Sequence, residues 1–232
     1  IRDSISYGKA GRLKVLVSSP SLRSAFLQGS GDIYLGNLKA KELEVSLAGS
    51  GDIVAGDVTC NGDFSALLKG SGDIDVKGQI RAKSVSLTLQ GSGDLNVVGV
   101  TGSEISAMLQ GSGDLKVRSA YTTSTVTAKL SGSGDMDVLG IRANNVAAQL
   151  AGSGDMTLSG STRDATLVLS RSGELNARKL DAENVTARVN GSGDITCVAT
   201  KTLVTNIQGS GEVSYKGNPS VRSTGKNHLN RL

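Results

Sequence analysis

"LQGSGDIYLGNLKAKELEVSLAGSGDI", residues 27–53, carries the tetrapeptide GSGD twice, from Gly29 and again from Gly49. Along the chain the same tetrapeptide begins at Gly29, Gly49, Gly70, Gly91, Gly111, Gly132, Gly152 and Gly191. RSGE from Arg171 and GSGE from Gly209 fill the remaining places, so ten copies recur at intervals of 18–21 residues. The Ser and the second Gly are present in all ten, and the fourth position is Asp in eight and Glu in two. A period near 20 kept this tightly marks a stacked solenoid.

The flanks say what is stacked. After each tetrapeptide runs a short alternating segment ("DIYLG", "DIVAG", "DLNVVG", "DMDVLG"), and before each runs another ("LEVSLAG", "VSLTLQG", "VAAQLAG"). Period-2 alternation places every second residue inward on a strand. Between the two lies a shorter piece of the form A-x-x-[VL], as in "AKEL", "AKSV", "ANNV" and "AENV". No segment has a helical stripe, so helical and leucine-rich repeats fit poorly. The expected fold is all-β: a single-stranded parallel β-helix of about ten coils of roughly 20 residues. At about 3.3 Å per residue such a coil has a perimeter of roughly 65 Å, and ten rungs at about 4.8 Å make a rod roughly 48 Å long. Proline agrees independently. A stacked strand donates its N–H to a neighbouring coil and excludes proline, and the two prolines, Pro20 and Pro219, lie before the first tetrapeptide and after the last.

Three segments follow. Residues 1–28, with the strand-like "RLKVLV", are expected to cap one end with irregular strands and block edge pairing. Residues 29–216 form the repeats, and residues 217–232 form a polar C-terminal cap or tail.

Composition narrows function. Of 232 residues, 31 are Gly, none is Trp, and aromatics make up 3%, so the usual material of an enzyme pocket is scarce. A net charge of +4 is too small for a dedicated nucleic-acid binder. No run of 18 apolar residues suggests a membrane span, and the chain opens at Ile1 without a signal-peptide pattern, as a processed chain would. Cys60 and Cys197 are separated by seven coils. That is roughly 34 Å at the ladder rise, whereas a disulfide needs Cα atoms within about 7 Å. Both sit at apolar parity and read as small core residues.

If Leu47 and Ile53 point inward, Gly49 and Gly51 do too, with Ser50 and Asp52 outward. The tetrapeptide then reads as a corner whose glycines serve a tight bend or a positive φ. Arg171 replaces the first Gly once, which makes the second Gly the one sterically required. Stacked corners would line up Ser30, Ser50, Ser71, Ser92, Ser112, Ser133, Ser153, Ser172, Ser192 and Ser210. Beside them run Asp32, Asp52, Asp73, Asp94, Asp114, Asp135, Asp155, Glu174, Asp194 and Glu212. Carboxylates about 4.8 Å apart repel by roughly 0.9 kcal/mol even in water, so something must offset the row. Three offsets fit: hydrogen bonds from corner N–H groups and the serine row in a repeated Asx-type turn, cations such as calcium between successive carboxylates, or a basic or hydroxyl-rich partner. The first is the simplest. No cofactor is otherwise expected.

The row takes ten of the 21 acidic residues, leaving eleven against 25 basic ones. Lys77, Arg118, Arg178 and Lys216 recur near one corner and Lys39, Lys41, Arg81, Lys83, Arg142, Arg163 and Lys201 further round. An acidic edge with a basic flank away from it follows: a solvated surface, or a docking strip for anionic polysaccharide or lipid headgroups. The one histidine, His228, excludes a histidine-based triad or zinc site within the chain. Carboxylate chemistry on polysaccharide is the remaining enzyme option. An active site should break the repeat. Arg171 with Glu174 is the candidate break, and Asp75 and Asp137 also depart from the pattern. Each reads more simply as a surface substitution, Arg171 relieving the row by pairing with Asp155 or Asp194.

The tandem L-x-G-S-G-D-[ILM] units, the "KAKEL" segment and the closing "GSGEVSYKGNP" resemble the auto-transporter adhesin, head GIN domain family over about residues 13–219. The RSGE coil departs from the pattern. The resemblance implies a right-handed parallel β-helix and a secreted, periplasmic or cell-surface protein of a kind common in Bacteroidetes. It transfers no catalytic, cofactor or metal residues. The expected function is a non-catalytic, adhesin-like module that binds glycan or an envelope or host protein through a repetitive face. A structural or assembly module of the cell envelope is the alternative, and a carboxylate-based polysaccharide lyase or hydrolase comes third.

Overall fold

The computed structural model describes residues 21–225 and 228–232, together with Leu16 and Ser19. Among these there is no helix, and hence none long and apolar enough to cross a membrane. One early coil shows the unit: strands Ile33–Leu35, Leu38–Ala40 and Leu43–Leu47. Each pairs in parallel with its counterpart one coil on, through Ile33↔Ile53, Leu38↔Val58 and Leu43↔Phe64. The chain is therefore a three-faced β-solenoid of about ten turns. The first face follows each GSGD corner, the second is short, and the third leads into the next corner. In the later coils the strands run on around the corners, as in Met136–Leu150, Met156–Arg171, Glu174–Gly191 and Asp194–Gly209.

Alternation fills the interior. Leu47, Leu68, Leu89, Leu109, Leu130, Leu150 and Leu169 stack just before the corner, and Ile53, Ile74, Leu95, Leu115, Met136, Met156 and Leu175 just after it, all buried. Two residues before the first of these columns, on the third face, runs one that is mostly small: Val45, Ala66, Leu87, Ala107, Ala128, Ala148, Leu167 and Ala187. A coil this narrow has no room for a ring on every rung, so Phe64 is the one aromatic in the buried core of the described residues. Cys60 lies on the second face and Cys197 on the first, both buried and unpaired. Burial pushes the Cys197 thiol up to about 12 and raises Cys60 as well, so neither is a ready nucleophile.

The ends differ from the sequence expectation. Ser24–Leu27 is no irregular cap: it is a regular rung of the third face, in register with Glu44–Leu47. The rest of the expected cap lies almost entirely outside the described residues. At the other end Ser220–Gly225 and Leu229–Arg231 continue the third and first faces in parallel. The segment read as a polar cap or tail is thus a further set of rungs. Here the inward column turns polar: Thr205, fully buried, donates to Ser223 Oγ at 2.9 Å, and Thr224 Oγ1 donates to the Thr205 carbonyl at 3.2 Å. Hydroxyl groups close the apolar column, and hydrophobic periodicity gave no sign of it.

The corner explains its glycines. A Cβ on Gly49 would lie 1.9 Å from the Gly29 carbonyl oxygen, and one on Gly51 would lie 1.8 Å from that of Gly31. The same clash recurs at Gly91 and Gly93, 2.0 and 1.9 Å from the oxygens of Gly70 and Gly72. Close approach of stacked backbones, and not a left-handed φ, demands glycine through most of the rod, at both positions of the tetrapeptide. Arg171 enters the first position only with φ at 104°, a conformation that costs an L-residue about 1–2 kcal/mol. Two urea-unfolding outcomes follow. Gly93→Ala should lower stability by about 3 kcal/mol or more, in the range of severe core disruptions. Arg171→Gly should raise it by about 1 kcal/mol.

Candidate functional site

The acidic edge is built from main chain first. At most corners the carbonyl at the first position of the tetrapeptide accepts two N–H groups from the next coil: Ser50 and Gly51 donate to Gly29 at 2.9 and 3.2 Å, Ser71 and Gly72 to Gly49 at 3.0 and 3.3 Å. The acidic residue's own N–H is received not by a carbonyl of the coil before but by a side chain there. Asp52 N donates to Asp32 Oδ1 at 3.1 Å, Asp73 N to Asp52 at 3.0 Å, Asp94 N to Asp73 at 2.8 Å and Asp114 N to Asp94 at 2.9 Å. The series continues through Asp135, Asp155 and Glu174 at 3.2, 3.0 and 3.1 Å, and Glu212 N donates to Asp194 Oδ1 at 2.9 Å. Each aspartate thus substitutes for a carbonyl toward the following coil.

This differs from the expected Asx-type turn. The bond crosses between coils, and the serine row takes no part: all ten corner serines are exposed, and none of their hydroxyls bonds a row carboxylate. A hydrogen bond to a charged acceptor contributes about 1.5–3 kcal/mol, more than the roughly 0.9 kcal/mol repulsion between neighbouring carboxylates. Glu174 breaks the series. Its longer side chain does not receive Asp194 N, and the two residues pair instead as rungs of the first face.

The other singled-out groups are dispersed. Arg171 is exposed and forms no ion pair with Asp155 or Asp194, so it does not relieve the row as the sequence reading supposed. The cation that does touch the row is Lys116, whose Nζ lies 2.9 Å from Asp114 Oδ2. Its hydrogen bond holds the Asp114 carboxyl below the usual range, and Asp114 in turn raises Lys116. Asp75 and Asp137 stand in the outer column of the first face with Asn96 and Lys116, where Asn96 Nδ2 donates to Asp75 Oδ1 at 3.1 Å. His228 supplies a carbonyl to Val213 N at 2.9 Å, the place the acidic residues take elsewhere. Among the described residues no three His, Cys, Asp or Glu side chains converge as a metal site would require.

The basic residues gather opposite the acidic edge. Lys39, Arg81 and Arg142 share the outer column of the second face with Thr59, Thr101 and Tyr121. Lys77, Arg118, Arg178 and Lys216 are exposed at the corner before that face, and Lys41, Lys83, Arg163 and Lys201 at the corner after it. On this flank a groove of roughly 450 Å³ runs beside Tyr121, Thr123, Arg142, Asn144, Ser161 and Arg163. Its walls are fixed by hydrogen bonds. Buried Thr122 donates to the Ser103 carbonyl at 2.6 Å and accepts from Ser124 N at 3.1 Å, while Asn144 Nδ2 donates to the Thr123 carbonyl at 2.6 Å. The sequence reading noted Arg142 and Arg163 only as flank charges and passed over the rest. The available signal was "AYTTST", residues 120–125, the one coil where A-x-x-[VL] gives way to a tyrosine and a hydroxyl cluster.

Two outcomes test the edge. Asp94→Asn keeps an acceptor oxygen and sheds a charge, so its urea midpoint should stay within about 0.5 kcal/mol of the parent, whereas Asp94→Ala should cost about 1–3 kcal/mol. Because the folded Asp114 carboxyl is depressed, its pairing stabilises the fold fully above the ordinary value of 3.8 and is lost as acid protonates it below that value. In a carboxyl NMR titration, Lys116→Met should move Asp114 up toward 3.8.

No curated protein and no solved structure matches the chain. One family model does, over residues 1–140 and again over 108–219. With the tandem corners, the three-faced solenoid and this coverage together, the chain belongs to the family described as "Putative auto-transporter adhesin, head GIN domain".

Proposed function

We propose that the chain is a non-catalytic, adhesin-like binding module that presents one repetitive face of a rigid solenoid to glycan or protein, at the cell surface or in the periplasm. The observation that supports this most directly is the unbroken parallel register of the third face from Leu43 to Leu150, which carries each outward side chain there to its equivalent place on the next rung. On the third face it aligns Ser65, Ser86, Ser106 and Thr127, and at the corner it aligns the exposed serines with the carboxylates. Weak identical contacts at a fixed pitch add along a polymer. The family description favours the same role and an extracellular or surface location.

Catalysis calls for carboxylates in unequal surroundings. Eight row members instead share one bonding pattern, each N–H held by the carboxylate of the coil before. The test is binding of the purified chain to immobilised glycans and matrix proteins, in calcium and in EDTA. A polymer that binds should exceed its own monomer unit by about 10²-fold or more, the signature of repeated contacts. Loss in EDTA would assign recognition to the acidic edge, and survival would assign it to the basic flank. Silence across the panel in both conditions overturns the reading.

A further inference from the structure

The groove on the second face carries chemistry that the repeat does not. Tyr121, half exposed, is the one aromatic on that flank among the described residues, and its direct ladder partner one coil on is Arg142. A tyrosine ring offers an apolar face with a polar rim, suited to the C–H face of a sugar. The other charges around the groove are neutralised within it: Arg163 Nε holds Asp164 at 2.8 Å, and Lys201 holds Glu183 at 2.6 Å. Arg142 alone is exposed there with no partner for its guanidinium among the described residues. The groove therefore presents one uncompensated positive charge beside one ring, with the hydroxyls of Thr123 and Ser161 at its margin.

The main chain that carries these two side chains is fixed before any ligand arrives. Thr122 and Thr162 are buried and spend their hydroxyls on main-chain carbonyls, Thr162 on Asn144 at 3.0 Å. A framework held this way loses little freedom on binding. The groove also has a direction: Tyr121, Arg142 and Ser161 are successive rungs of one column. A linear chain lying along the rod would meet them in turn.

We propose that this groove is a subsite for a carboxylated sugar of an acidic glycan: one ring lies on Tyr121 while a uronate carboxylate takes a paired hydrogen bond from Arg142. A planar guanidinium matches a carboxylate in two parallel bonds. The proposal rests on the binding-module reading and names the ligand chemistry for one part of it.

The experiment measures binding of oligogalacturonate and oligomannuronate to the full chain by calorimetry, with NMR of the Arg142 Nε–H and Tyr121 ring as a local readout. Carboxyl-reduced oligosaccharide and dextran sulfate are the comparison ligands. A uronate should bind, its carboxyl-reduced form should not, and Arg142→Gln and Tyr121→Ala should each weaken it roughly tenfold or more. Lys129→Gln, on the third face, should leave it unchanged. Equal affinity in Arg142→Gln, equal affinity for the reduced sugar, or binding of dextran sulfate alone each overturns the subsite. If neither uronate binds while another glycan or protein does, the subsite falls and the binding-module reading stands. If nothing binds, both fall.

Discussion

The backbones of successive coils pass each other at the GSGD corner with no room for a Cβ between them, and this contact governs the rest of the molecule. It forces glycine at two positions two residues apart, with a Cβ at Gly51 or Gly93 falling 1.8 or 1.9 Å from a carbonyl oxygen. It brings two N–H groups onto one carbonyl, as Ser50 and Gly51 onto Gly29, and so leaves the next N–H without a main-chain acceptor. A buried or half-buried N–H cannot go unpaired cheaply. The aspartate of the coil before reaches forward across one rung and supplies the missing oxygen, as Asp32 Oδ1 does for Asp52 N. Glycine, serine and aspartate in that order are thus one solution to one steric problem, repeated.

From the same contact follows the character of the surface. A corner that tolerates no slippage locks the register of the strands on either side of it, because the side-chain period of a strand is two and a one-residue shift would turn the core outward. The register shifts fall away from it, as at Val97/Gly99 and Val138/Ile141. Outer columns are therefore straight. The acidic edge, the exposed serines and the basic second face hold fixed positions relative to one another, and a departure such as the Tyr121–Thr123 corner is held as firmly as the regular coils beside it. A surface with so little freedom suits recognition by many modest contacts better than chemistry at one centre.

Much of this was legible in the residues, and the limits are instructive. The coil length and its strands were open to view because the corner repeats nearly letter for letter and the flanks alternate. The reason for the glycines was not: parity shows that Gly49 and Gly51 face inward, but a demand for φ > 0 and a demand for proximity leave the same letter. The aspartate's partner was hidden for a related cause, since alternation places Asp52 outward without saying which coil's N–H it meets. The last rungs escaped notice because Thr205, Ser223 and main-chain pairing hold them where apolar periodicity has faded. The groove escaped because Tyr121, Arg142 and Ser161 are some 20 residues apart and meet only once the pitch of the solenoid is known.

The aspartate ladder also has an arrow. Every aspartate of the row reaches toward the coil that comes later in the chain, so a finished coil already displays a side-chain acceptor for its successor, while no side chain of the row reaches the other way. A coil joining at the C-terminal end finds a carboxylate oxygen waiting at the corner; one joining at the N-terminal end finds main-chain carbonyls there, as Ile33 N finds the carbonyl of Asp52. Repeat proteins can nucleate anywhere and spread to their neighbours, but here the two directions of spread are chemically unequal. The two ends of the rod therefore offer an incoming strand different acceptors, carboxylates beside carbonyls at one and carbonyls alone at the other.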